Sequence, residues 1–185
     1  SGALSQACLR AGGGGALCAQ GDWPRRRLDI AGTGLPWSLL SPYLPERDDG
    51  RPWVFSGNAD LVATVRPAGN AWRGEARITS ARGGVRNSLR SRRDLVGYRD
   101  LVIAARYDPR RITATVAAGL DDDGHVDARI ATGWDAYAPL AGSLRLRTDE
   151  LTWMELFSPD IVAPTGRLDA DLELAGTRAQ PAIGG

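Results

Sequence analysis

Apolar and polar residues alternate strictly in segment after segment, and this constrains the chain more than any other feature. Leu101, Ile103, Ala105 and Tyr107 recur every second residue, while Asp100 and Arg106 point the other way. Successive side chains of a strand project to opposite faces, so this period predicts a strand with one dry face and one wet face. The same rhythm runs through Ala59, Leu61, Ala63 and Val65, and through Trp72, Gly74, Ala76 and Ile78. It is cleanest at Leu168, Ala170, Leu172 and Leu174, where the intervening Arg167, Asp169, Asp171 and Glu173 all carry charge. About ten segments fit the template, which predicts an all-β chain.

The turns between these segments carry register information. Asp108-Pro109-Arg110-Arg111 has Asp and Pro at the first two positions of a type I turn. A four-residue loop there sets Tyr107 opposite Ile112, Ala105 opposite Ala114 and Ile103 opposite Val116, so apolar meets apolar on one face. At the next turn a three-residue loop, Asp122 to Gly124, would pair Leu120 with Val126, Ala118 with Ala128 and Val116 with Ile130. Gly124 would take the left-handed position of a bulged hairpin. Thr113, Thr115, Asp127 and Arg129 then line the opposite face.

Two stretches, 35–44 and 150–157, cluster apolar residues without alternation and read as short helices; Ser41-Pro42 and Ser158-Pro159 close them. Strands 54–79 follow the first and strands 165–176 the second. The chain therefore reads as a single segment, 1–185, of an extended architecture with a weak internal repeat. The scatter of 23 Gly and 11 Pro fits many tight turns. With no starting Met, and Met154 the only methionine, the chain is expected to be part of a longer protein, any membrane anchor lying outside it.

The residue inventory argues against chemistry. His125 is the single histidine, so no His-based triad or His-rich metal site can be assembled. Asp121-Asp122-Asp123-Gly124 has consecutive acids where a calcium loop needs alternating ones, and reads as a solvated turn. Gly12 to Gly15 lacks the Lys-Ser/Thr of a phosphate loop and reads as a hairpin tip. No cofactor is expected, and the chain is not read as an enzyme. Basic and acidic residues nearly cancel, 23 against 22, which argues against nucleic-acid binding. Arg82, Arg86, Arg90, Arg92, Arg93 and Arg99 form the one positive stretch; it reads as a solvated loop, or as a contact for lipid headgroups or an acidic partner.

Cys8 and Cys18 flank the glycine run, and a hairpin turning about Gly13 brings them face to face within disulfide range. A bond would imply an oxidising compartment such as the periplasm. The alternative is two reduced thiols in a cytosolic protein.

The order of segments also carries a resemblance. "LDIAGTGLPWSLLSPYLP", "WVFSGNADLVATV", "WRGEARITSARGG" and the run from "DELTWMELFSPD" through "GRLDADLELAGTRAQPAIGG" are similar to the C-terminal part of TamB proteins. These are subunits of the translocation and assembly module, related to the AsmA-like family. The resemblance implies an elongated antiparallel sheet folded into a trough with an apolar concave face. It also implies a periplasmic location, an inner-membrane anchor and an outer-membrane barrel partner of TamA type. Two roles come with it: conveying phospholipids between membranes, and scaffolding outer-membrane β-barrel and autotransporter assembly, with unfolded outer-membrane proteins as substrates.

On the trough reading, phospholipid acyl chains would meet Leu61, Ala63, Val65, Ile78, Leu101, Ile103, Tyr107, Ile112, Val116, Val126, Ile130, Leu144, Leu146, Leu168, Leu172 and Leu174. The competing reading is a closed sandwich or barrel in which the same residues are core. A one-sided apolar sheet has to cover that face somehow, and alternation alone does not say how.

Overall fold

The computed structural model describes residues 3–12, 14–22, 25–44, 50, 52–86, 88–92, 94–121, 123–156, 161–162 and 164–185. Among the described residues eleven strands form one antiparallel sheet: β1 (Ala3–Arg10), β2 (Ala16–Asp22), β3 (Arg27–Pro36), β4 (Val54–Ala68), β5 (Ala71–Arg86), β6 (Val96–Tyr107), β7 (Ile112–Leu120), β8 (His125–Thr132), β9 (Leu140–Glu150), β10 (Thr165–Gly176) and β11 (Pro181–Gly184). Each strand pairs with its neighbours in sequence, so the order in space is the order in the chain. β1 and β11 are the two edges, and they do not meet. The sheet is open, elongated and curved.

The β6–β7 hairpin has the register that its turn predicts, with Tyr107 opposite Ile112, Ala105 opposite Ala114 and Ile103 opposite Val116. The next hairpin differs. Its observed pairs are Ala118 with Val126, Val116 with Ala128 and Ala114 with Ile130. The Leu120 N–H donates to the Gly124 carbonyl at 2.8 Å, so the turn lies one residue earlier than expected. Asp123, with φ 63°, holds the left-handed position assigned to Gly124. Short polar side chains tolerate that conformation, and Asp123 gains a 2.9 Å ion pair with Arg99 of β6. Asp122 lies outside the described residues. The expected and observed registers put the same side chains on the same face, so facial hydrophobicity could not choose between them.

Bulges interrupt the ladders along a line across the sheet. β3 shifts between Gly32 and Leu35, the β4–β5 pairing between Gly57 and Asp60, β6 between Arg99 and Val102, and β10 between Thr165 and Leu168. Gly57 has φ 90°, and a Cβ there would run into the Arg82 carbonyl and lie 2.8 Å from Gly83 Cα. Asp100, at the β6 bulge, has φ 52°. Each bulge bends its strand and raises the local twist, which curves the sheet along this line.

The two non-alternating stretches contain 3-10 turns, Trp37–Tyr43 and Thr152–Leu156. The first has no side-chain cap and holds Pro42 within it, which favours a short tight turn over a longer helix. Phe157, Ser158 and Pro159 lie outside the described residues. Trp37 Nε1 donates to Ser80 Oγ at 3.3 Å, and Thr152 Oγ1 donates to the Leu95 carbonyl at 2.8 Å. Trp153 stands beside Val96, Leu120 and Thr148. Both turns therefore fold over the apolar face at the same end of the strands, opposite the β4–β5 and β6–β7 hairpin turns.

The charged stretch 82–99 is strand at both ends and loop between Arg86 and Val96. Arg82 and Arg86 belong to β5 and Arg99 to β6, with Leu95 N–H donating to the Val85 carbonyl at 2.7 Å. Arg86 pairs with Asp94 at 2.7 Å, and Arg90 and Arg92 are exposed at the tip. Arg93 lies outside the described residues.

Candidate functional site

Register turns the alternating sequence into rows that run across the strands. One row reads Gly32, Leu61, Ile78, Ile103, Val116, Ala128, Leu144 and Leu172, from β3 to β10. Neighbouring strands lie about 4.8 Å apart, so this row extends for roughly 34 Å. A second row holds Ile30, Ala63, Ala76, Ala105, Ala114, Ile130, Gly142 and Leu174. A third contains Ala118, Val126, Leu146 and Ala170, with Leu101 of β6 beside Ser80; a fourth runs from Leu28 through Val65, Gly74, Tyr107 and Ile112. Leu168 sits opposite Thr148 beyond the third row. All sixteen positions singled out in the sequence thus lie on one face.

None of those sixteen side chains is buried, and Ile130 is 39% exposed. Among the described residues the buried apolar set is only Val54, Ala59, Ala118 and Leu140, and no side chain is fully buried. Among the described residues no second layer packs across the face; beyond the strand ladders, the prominent packing is the first 3-10 turn against β4. The chain exposes 12566 Å². A compact monomer of 19.7 kDa would expose about 8,600 Å², so roughly 45% more surface is left open here. This excludes the closed sandwich or barrel as an account of the sheet.

The face is concave where β7 to β11 curl together. Ala114, Val116, Ala128, Ile130, Leu144, Leu172, Leu174 and Ile183 border one hollow of about 310 Å³. On a flat sheet β7 and β11 would be about 19 Å apart, too far to share it.

Several members of the face were missed in the sequence. Leu28 and Ile30 alternate like the others and could have been found that way, whereas Ile183 sits on a four-residue strand too short to show a period. Ser80 and Thr148 occupy apolar positions yet are only 4% and 3% exposed. Ser80 Oγ bonds the Asn58 carbonyl at 2.6 Å and Tyr98 OH at 2.8 Å, so this buried hydroxyl is satisfied where Trp37 comes down on it.

The opposite face carries charge. Arg145 lies between Asp127 and Asp171 in register and 3.4 Å from Asp171; Arg167 lies 3.4 Å from Asp149. Asp29 accepts from Arg27 at 3.0 Å and from Thr64 at 2.8 Å, and these hydrogen bonds, Arg27 first, hold its carboxyl below the usual range. Exposed pairs of this kind add little stability, but they keep this face in water.

Cys8 and Cys18 are bonded, with Cα atoms 4.1 Å apart across the β1–β2 pair. Ala11 N–H donates to the Gly15 carbonyl at 2.7 Å, closing the predicted hairpin; Gly13 itself lies outside the described residues. Cys18 is in register with Ala31 and Val62, which places the disulfide on the polar face, away from the apolar rows. No group of three or more His, Cys, Asp or Glu is placed to hold a metal among the described residues. Nor is any helix there long and apolar enough to cross a membrane.

An open, elongated antiparallel sheet that is curved, dry on one side and charged on the other defines a trough-forming β module. Over residues 2–185 the chain matches the family described as the N-terminal domain of TamB, and it belongs to that family. No curated protein and no solved structure matches it. As a member of this family the chain is a non-catalytic transport or scaffold module.

The match corrects the expectation of a C-terminal segment: the family is as expected, but the segment is the N-terminal domain. The residues that carried the C-terminal reading, Gly166 to Thr177 and Pro181 to Gly184, make up nearly all of β10 and the whole of β11. An architecture that grows by adding strands uses such Gly, Leu and Pro patterns throughout its length, so they mark the family without marking the place in it.

Proposed function

We propose that this domain is a periplasmic segment of a lipid-conducting trough, its apolar rows holding phospholipid acyl chains in transit between the inner and outer membranes. The observation that carries this is the row from Gly32 to Leu172, whose side chains from Leu61 onward are only half buried. Its length of roughly 34 Å is about twice the 15 Å or so of one leaflet's acyl chains. Each methylene taken from water contributes about 0.8 kcal/mol, so a chain lying along the row is held without any specific contact. Such binding tolerates sliding, because every step along the row offers similar surface. The family and the disulfide support the periplasmic location, and the parent protein is anchored in the inner membrane on this reading.

Photocrosslinking side chains at Ile103 and Val116 in native membranes should capture phospholipid, while one at Glu173 on the charged face should not. Ile103→Asp or Val116→Arg should reduce co-purified phospholipid, and Glu173→Gln should leave it unchanged. An absence of lipid adducts at both lining positions would sink the proposal.

One observation favours a second reading, a scaffold for outer-membrane β-proteins working with a TamA-type barrel. β11 pairs only with Glu173 to Gly176, so among the described residues the earlier part of β10 has no strand on its outer side. An extended substrate could add there by backbone hydrogen bonding. Polypeptide adducts at Leu168 to Asp171, without lipid adducts in the rows, would favour it.

A further inference from the structure

At the hairpin end of the strands, on the charged face, lies a group of arginines that the trough does not use. Arg66 and Arg73 stand directly opposite each other across the β4–β5 pair. Like charges so placed weaken a sheet; Arg82 and Arg99 are another such pair across β5 and β6, whereas at Asp127, Arg145 and Asp171 the signs alternate across the strands. Glu75 lies 3.7 Å from both Arg66 and Arg106, so one carboxylate serves two guanidinium groups. Asp108 is turned onto its own hairpin, where Oδ1 accepts the amide N–H groups of Arg110 at 2.7 Å and Arg111 at 2.8 Å. Among the described residues, neither Arg73 nor Arg111 has a carboxylate within ion-pair distance of its guanidinium group, and Arg111 feels the Asp108 carboxylate only at longer range.

Arg66, Arg73, Arg106 and Arg111 border a hollow of about 340 Å³ together with Glu75 and Asp108. Four cations against two anions leave it with a net charge of +2. We propose that this hollow binds a phosphate group. A guanidinium fork matches two phosphate oxygens at once, and forks arriving from β4, β5, β6 and the β6–β7 turn can meet one tetrahedral anion from several sides. The anion would also stand between Arg66 and Arg73 and remove their mutual repulsion. The phosphate could be free or a lipid headgroup, and Tyr107, which borders the hollow, belongs to the apolar rows of the other face.

The test compares the wild-type domain with Arg66→Gln/Arg73→Gln, with Arg111→Gln, and with Arg145→Gln as a control on the same face outside the hollow. Inorganic phosphate should raise the wild-type Tm above its value in chloride of equal ionic strength. The double variant should lose affinity for phosphate by roughly tenfold or more, the effect of removing charge-assisted hydrogen bonds, with Arg111→Gln intermediate and Arg145→Gln unchanged. Flotation with phosphatidylglycerol vesicles separates the sources: a parallel loss of vesicle binding in the double variant identifies a headgroup, and loss of inorganic phosphate binding alone identifies free phosphate. A wild-type domain that does not distinguish phosphate from chloride would overturn the proposal, as would a double variant that keeps the phosphate shift. Should the double variant fail to fold, Arg111→Gln decides. Acyl crosslinking at Val116 should be the same in all four proteins, so this site and the trough can fail independently.

Discussion

Replacing Ile130 by Asp asks whether the apolar face is a surface or a core. Ile130 borders the hollow between β7 and β11 and is 39% exposed. Full burial of an isoleucine side chain is worth about 1.5–3 kcal/mol, so the part of it that is covered here contributes about 1–2 kcal/mol. Asp is also a poor strand former, at a cost of up to about 1 kcal/mol. The change should therefore destabilise the lipid-free domain by about 1–3 kcal/mol. At roughly 2–4 °C per kcal/mol for a chain of this length, Tm should fall by about 2–12 °C with the fold retained. The introduced carboxylate meets water, so it should titrate near the ordinary aspartate value of about 3.9. In a closed core it would be pushed up by as much as ~3–5 units and the protein would lose most of its stability. Thermal melts give the first quantity, and NMR titration of the isotope-labelled Ile130→Asp variant gives the second. A variant unfolded at 25 °C, or an introduced carboxyl that titrates above about pH 6, would refute the claim that this face is open.

Reducing the Cys8–Cys18 bond, or replacing both residues with Ser, should release β1 while leaving the middle of the sheet intact. The chain-entropy model gives roughly 2–3 kcal/mol for so short a loop, and hydrogen exchange should quicken at Ala7 to Arg10 while the amides of β6 and β7 keep their protection. Ser80→Ala removes the acceptor of Trp37 Nε1 and the partner of Tyr98 OH, so it should cost about 1–3 kcal/mol; the Trp37 emission should shift to the red as its turn lifts. The Asp108 carboxyl is held below its usual range by the backbone N–H groups of Arg110 and Arg111, in that order. Its folded pKa is depressed, so the contribution is present above the unfolded value and is lost as pH falls through the folded one. The Arg110 and Arg111 amide shifts should therefore titrate with a midpoint below the ordinary aspartate value.

Much of the sheet was legible because its signals are local. Asp108-Pro109 codes a turn over four residues, and among the registers that match apolar to apolar that loop length selects one. Cys8 and Cys18 are equidistant from the hairpin tip and so had to face each other. The Asp121 to Gly124 turn was misplaced by one residue because both placements keep the apolar face intact; the tie is broken by Arg99, which comes from another strand. The bulge line was invisible for the same reason: Asp100 and Gly57 look like ordinary alternation until their neighbours across the ladder are known. The arginine hollow was missed because Arg66, Arg73, Arg106 and Arg111 are scattered along the chain and each looked like a solvated face residue.

The sequence by itself determined that this protein is a β chain with one apolar and one charged face, because side-chain direction in a strand follows position alone. Whether the apolar face became groove or core was decided only by the tertiary structure. That outcome depends on whether β1 reaches β11 and whether anything packs across the rows, and such contacts join residues far apart in sequence. The two edges stay apart, and the 3-10 turns cover only one end of the strands. The same alternation would have served equally well to build a closed sandwich.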